Sequence, residues 1–137
     1  MKRILQWVMA AVFVFAGVSH FTATDFFVQI VPPYVPWPLA MVYVSGVFEI
    51  GLGFLLLVPA STRFAAWGLI ALLIAVFPAN IHMAVNDVHV QNSPLGQPSR
   101  AALWLRLPLQ GVLIAWAWWY TRPAAEPGLS PRANKSL

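Results

Sequence analysis

The chain contains no cysteine and carries little charge. Without a thiol there is no disulfide framework, no CxxC redox pair, and no thiolate-held metal or iron–sulfur centre. Any redox chemistry would have to be carried by a bound cofactor or a partner. Charged residues make up 9% of the 137, against roughly 25% in a soluble domain. Acidic side chains are scarcer still, at Asp25, Glu49, Asp87 and Glu126. No convincing internal repeat is visible, and one compact unit fills the length.

Apolar side chain is what remains, at 60% of residues with a mean hydropathy of +0.73. A small soluble protein has too little polar surface to cover that much of it, so lipid is the expected solvent. The formal net charge of +4 would on a soluble chain suggest nucleic acid. Here the basic residues are too few and scattered to track phosphates, and nucleic acid is not an expected partner. They flank apolar segments, where membrane topology explains them better.

Four stretches are long enough to cross about 30 Å of hydrocarbon, which takes about 20 helical residues. They run over about 4–20, 39–58, 64–84 and 101–120. The expected fold is all-α: a four-helix transmembrane bundle over 1–121, followed by a disordered tail over 122–137. The first stretch has a rival reading as a secretory signal, because Lys2 and Arg3 precede an apolar run. Phe21 stands where a cleavage site wants a small residue, which favours a retained helix.

Basic residues set the orientation. With both termini in the cytoplasm, that side holds Lys2, Arg3, Arg63, Arg122, Arg132 and Lys135. The opposite side holds Arg100, with Asp25 and Asp87 nearby. Trp116, Trp118, Trp119 and Tyr120 then form an aromatic belt at the cytoplasmic interface. Pro59-Ala60-Ser61-Thr62 reads as a tight cytoplasmic turn in which Ser61 or Thr62 caps the third span. Across the membrane, Thr24 or Asp25 is expected to cap a short interfacial helix. The prolines at 32, 33, 36 and 38 then make a rigid strap back into the bilayer. An ordinary hydrophobic loop lying on lipid is the competing reading. The segment Asn86 to Arg100 reads as a solvated loop.

Ionisable residues inside spans are costly, and they usually face a bundle interior. This chain has His20, Glu49 and Arg106, with His82 near a span end. At about 1.5 Å rise per residue, Glu49 lies ~15 Å and Arg106 ~9 Å from the outer ends of their helices. Ser45, Gly46, Glu49 and Gly53 share one helical stripe, as do Arg106 and Gln110. Pro78-Ala79-Asn80 interrupts the third span, and Gly17 stands one turn before His20. These faces converge on one chamber in the outer half of the bundle, with His20, Glu49, Asn80, Arg106 and Gln110 as candidate ligand-binding residues. Ser45, Tyr34, Trp37 and His82 are a second tier.

Two readings compete. Glu49 and Arg106 form either a packing ion pair buttressed by Gln110 and Asn80, or the grip on a polar headgroup, anion, proton or quinone. A buried pair is weak evidence of stability, because desolvation can exceed the Coulomb gain. A His20, Glu49 and His82 metal set has suitable chemistry for iron or zinc. It lacks a supporting local motif, and no metal is expected. Asn80 and His82 also lie about 200° apart around a regular helix.

Ordered stretches along about Gln6 to Tyr120 resemble the DoxX family of small four-helix membrane proteins. They are Gly17-Val18-Ser19-His20-Phe21, Ile30-Val31-Pro32-Pro33-Tyr34-Val35-Pro36 and Ser45-Gly46-Val47-Phe48-Glu49-Ile50. Val76 to Ala84 (VFPANIHMA) and Leu105-Arg106-Leu107-Pro108-Leu109-Gln110 complete the set. The resemblance implies a four-helix membrane fold and association with quinol-oxidase, thiosulfate:quinone oxidoreductase or oxidative-stress systems. It supplies no agreed catalytic set. Some redox-associated relatives use cysteine pairs, which this chain lacks.

The expectation is therefore a multi-pass protein of the bacterial cytoplasmic (inner) membrane. It would be an accessory or small-molecule-binding component of a redox or stress-response system, with a quinone as a candidate guest. Partners would be the bilayer, subunits of a membrane redox complex, or a second copy. A cofactor-dependent enzyme, a small transporter and a structural assembly partner remain as alternatives.

Overall fold

The computed structural model of the chain describes residues 1–91, 93 and 96–123. Five helices follow one another: α1 (Lys2–Thr22), α2 (Thr24–Ile30), α3 (Pro38–Leu57), α4 (Thr62–Val85) and α5 (Arg100–Thr121). Among the described residues there is no strand. The four long helices begin and end within two residues of the spans read from sequence. Each is long and apolar enough to cross a membrane. Their outward faces carry large apolar side chains, such as Phe15, Phe54, Phe64 and Ile74. Exposed to water, so much apolar surface would be an aggregation hazard; against lipid tails it is the ordinary outer face of a membrane bundle. The expected tail falls outside the described residues except at Arg122 and Pro123.

Local chemistry sets the helix ends. Pro38 opens α3, where a missing N–H costs nothing, after Trp37 turns the chain through a left-handed φ of 49°. Ser99 caps α5 by accepting from the Ala102 amide at 3.2 Å. Two expected caps differ. Ala23, not Thr24 or Asp25, precedes α2, and the Thr24 hydroxyl donates back to the His20 carbonyl at 2.8 Å. Ser61 stands at the N-cap position of α4, but its hydroxyl and that of Thr62 likewise donate backward, to the Leu55 and Leu56 carbonyls at 2.8 and 3.1 Å. In so short a turn the last carbonyls of α3 lie nearer these hydroxyls than the first amides of α4 do, and they equally need partners.

Hydrophobic burial provides little force between helices in lipid, so close packing at small residues takes its place. α1 and α3 meet at two such points. A Cβ on Gly17 would lie 2.7 Å from the Gly46 carbonyl oxygen. One on Gly53 would lie 3.1 Å from the Ala10 carbonyl. α4 packs chiefly on α5, and α3 against α4 joins the two hairpins.

Two apolar clusters divide the interior. One, around Met9, Phe13, Leu56, Leu69 and Tyr120, fills the terminal end, where α1 begins, α5 ends and the α3–α4 turn lies. The other joins Ile30 of α2 to Met83, Ala84, Val90 and Leu103, with Phe26 and Phe27 packed against it, at the loop end. A cavity lies between them.

Candidate functional site

The cavity encloses about 540 Å³, within the range of roughly 300–1,000 Å³ usual for small-molecule sites. All four long helices contribute walls, as do Phe27, Ile30, Val31, Pro32, Tyr34 and Val35 at the loop end. α3 and α5 both start at the loop end, and helical side chains lean toward their own N-terminus. Glu49 and Arg106 therefore tilt toward that end. Deeper in, Val12, Phe13, Leu73 and Leu113 leave the wall apolar.

The five candidates His20, Glu49, Asn80, Arg106 and Gln110 all line this one space. Ser45 and Tyr34 line it as well. Trp37 and His82 do not. Trp37, in its left-handed turn at the head of α3, is largely exposed. His82 points away from Asn80, as the angular offset along an unbroken α4 requires. Its Nδ1 meets the Asn86 amide at 2.9 Å. The set His20, Glu49 and His82 is therefore not assembled. Among the described residues no group of three or more His, Asp or Glu side chains is arranged to hold a metal.

The packing ion pair between Glu49 and Arg106, one of the two readings, is not formed. The group in ion-pair range of the carboxylate is His20, whose Nε2 lies 3.7 Å from Glu49 Oε2. Arg106 forms no ion pair among the described residues. The exchange has a geometric cause: the Gly17–Gly46 crossing draws α1 onto α3 and sets His20 beside Glu49, whereas α5 lies across the cavity. His20 Nδ1 is 3.1 Å from the Val42 carbonyl. A carbonyl can only accept, so Nδ1 carries the proton and Nε2 is the nitrogen turned to Glu49. The ring also packs on Phe27, with centroids 4.0 Å apart.

Asn80 and Gln110 are engaged with the protein itself. Asn80 Nδ2 donates to Gln110 Oε1 at 2.7 Å, and Gln110 Nε2 donates to the Leu73 carbonyl. That carbonyl precedes the one at Ile74, whose usual donor is missing because Pro78 has no N–H. The pair joins α4 to α5 beside the point where Pro78 removes one donor from the continuous α4 helix. Glu49 is the contrasting case. The residue is 8% exposed, and its Oε2 is buried without a hydrogen-bond donor among the described residues. An acceptor in that position costs free energy unless something supplies a donor.

Sequence reasoning did not find Phe27, Ile30 or the Val42 carbonyl. Phe26, Phe27, Ile30 and Val31 share a side at helical spacing, but spacing gives no sign of where that side docks. A backbone acceptor leaves no trace in side-chain pattern.

The profile of a family described as "Domain of unknown function (DUF8561)" matches residues 9–121. The matched span takes in every cavity-lining residue. No curated protein and no solved structure matches the chain.

Proposed function

We propose that this chain, which belongs to the DUF8561 family, is a membrane protein that binds an amphipathic small molecule in the cavity between its four long helices. The carrying observation is the buried Glu49 Oε2, which has no donor among the described residues and belongs to a side chain lining a space of about 540 Å³. A polar end facing an apolar depth suits a guest with a head and a tail. Mere helix packing would be served as well by apolar side chains, and intramembrane charge is by default a sign of function.

In this reading both termini face the cytoplasm, supported by Lys2, Arg3, Arg63 and Arg122 at the terminal end against Arg100 at the loop end. α2 is an interfacial helix, and residues 31–37 form a strap over the cavity mouth. Phe27, Ile30 and Tyr34 in the lining support both roles. Service in a redox or stress-response system of the cytoplasmic membrane, with a quinone as guest, rests on the DoxX resemblance.

Native mass spectrometry of the wild-type protein and its Glu49→Gln variant, both extracted in mild detergent, tests the proposal. The expected result is a stoichiometric bound mass on the wild type, reduced about tenfold or more on the variant, the scale of one hydrogen bond to a charged group. A folded wild type with no bound mass, or equal occupancy in both proteins, refutes it.

A further inference from the structure

The polar groups around the cavity divide into those the protein already uses and those it leaves over. Asn80 and Gln110 are joined to each other and to α4, and His20 Nδ1 is spent on Val42. Left over are His20 Nε2, which faces Glu49, the Ser45 and Tyr34 hydroxyls, the Glu49 carboxyl and the Arg106 guanidinium, of which the last two carry opposite formal charge. Among the described residues, Glu49 is the sole acidic residue in the lining and Arg106 the sole lysine or arginine. Arg106 has no ion pair among the described residues. An acid and a base thus border one space without touching.

In a medium of low dielectric each such charge is costly by itself, and long-range attraction offsets little of that cost once solvating groups are gone. A dipole lying between them relieves both, offering a donor to the carboxylate and an oxygen to the guanidinium. A cationic head would satisfy Glu49 while facing Arg106, and an anionic head would meet the reverse conflict. A neutral head with hydrogen-bonding capacity at both ends meets neither.

Resting on the ligand-binding reading above, we infer that the guest is a neutral amphiphile whose head joins an O–H or N–H donor, given to Glu49, to a carbonyl-type oxygen taken by Arg106. Hydroxy-esters, hydroxy-ketones and hydroxy-amides on an apolar tail are the class. Phe13, Leu73 and Leu113 receive the tail.

A series of probes with one tail length separates the possibilities: glycerol monododecanoate, methyl dodecanoate, dodecanol, dodecanoate and dodecylammonium. Each is titrated onto delipidated full-length wild-type protein in nanodiscs, and bound mass is read by native mass spectrometry. Glycerol monododecanoate, with both a hydroxyl and a carbonyl, is expected to reach half-occupancy at a concentration about tenfold or more below methyl dodecanoate or dodecanol. Glu49→Gln should narrow its lead over methyl dodecanoate, and Arg106→Gln its lead over dodecanol. Preferential binding of dodecanoate or dodecylammonium, or equal binding of the three neutral probes, overturns the neutral-head inference while leaving the cavity a binding site. No probe bound above background overturns the binding reading as well.

Discussion

Gln110 is among the few polar side chains buried in the bundle, and it is fully committed: it accepts from Asn80 and donates to the Leu73 carbonyl. Replacing it with alanine leaves the Asn80 amide without its partner, and a buried polar group orphaned in this way costs about 1–3 kcal/mol. A Gln110→Ala protein should therefore melt earlier in detergent, whereas Glu49→Gln should change guest occupancy with little loss of stability. Unchanged melting of Gln110→Ala would show the pair to be incidental. At this scale the sequence disclosed which residues share a chamber but not how they pair. Helical periodicity gives the face a residue lies on, and Glu49, Arg106, Asn80 and Gln110 all line the one cavity. Pairing depends on the rotation and relative height of neighbouring helices, which differ by a few ångströms and leave no periodic signature. So opposite charge alone offers Arg106 as a packing partner for Glu49, whereas the base in ion-pair range is His20.

Among the helices, α1 and α3 show most directly how residue choice decides packing. The Gly17–Gly46 contact is backbone against backbone, and neither partner can rotate away. Gly17→Ala puts a methyl group 2.7 Å from a carbonyl oxygen and should destabilise by about 1–3 kcal/mol, the usual cost of overpacking. Gly51→Ala is the natural control, because its Cβ would meet nothing within 4 Å. By helix propensity alone it should be neutral or stabilising, by up to ~1 kcal/mol. Paired thermal melts check both, and equal melting temperatures for the two variants would mean that the close crossing has no energetic weight. The long helices were legible because an apolar run of this length admits few other structures. The short α2 was legible as a helix, and its apolar side as a side, but its docking on Met83, Ala84 and Leu103 joins segments far apart in sequence. Ser61 and Thr62 were recognised as capping residues. Which helix they serve depends on how tightly the turn closes, and composition does not report that.

Across the whole molecule, the absence of cysteine makes topology directly measurable. His89→Cys at the loop end and Ala60→Cys in the α3–α4 turn each introduce a single exposed thiol. A membrane-impermeant maleimide applied to intact cells with the outer barrier opened should label His89→Cys, and should reach Ala60→Cys after permeabilisation. Labelling of both from one side would rule out the four-span arrangement.

The two ends of the bundle are also fastened differently. At the terminal end Gln6 donates to Leu56 and Thr62, Arg63 to the Thr121 carbonyl at 2.9 Å, and Tyr120 to the Lys2 carbonyl at 3.1 Å. At the loop end α2 is held by apolar contacts and by the reciprocal bonds between Gln29 and Gln91. The molecule is in this respect a clip, riveted at one end and sprung at the other. On the ligand-binding reading proposed above, a guest would enter at the loop end, and opening the cavity there is expected to cost less free energy than unfolding the bundle.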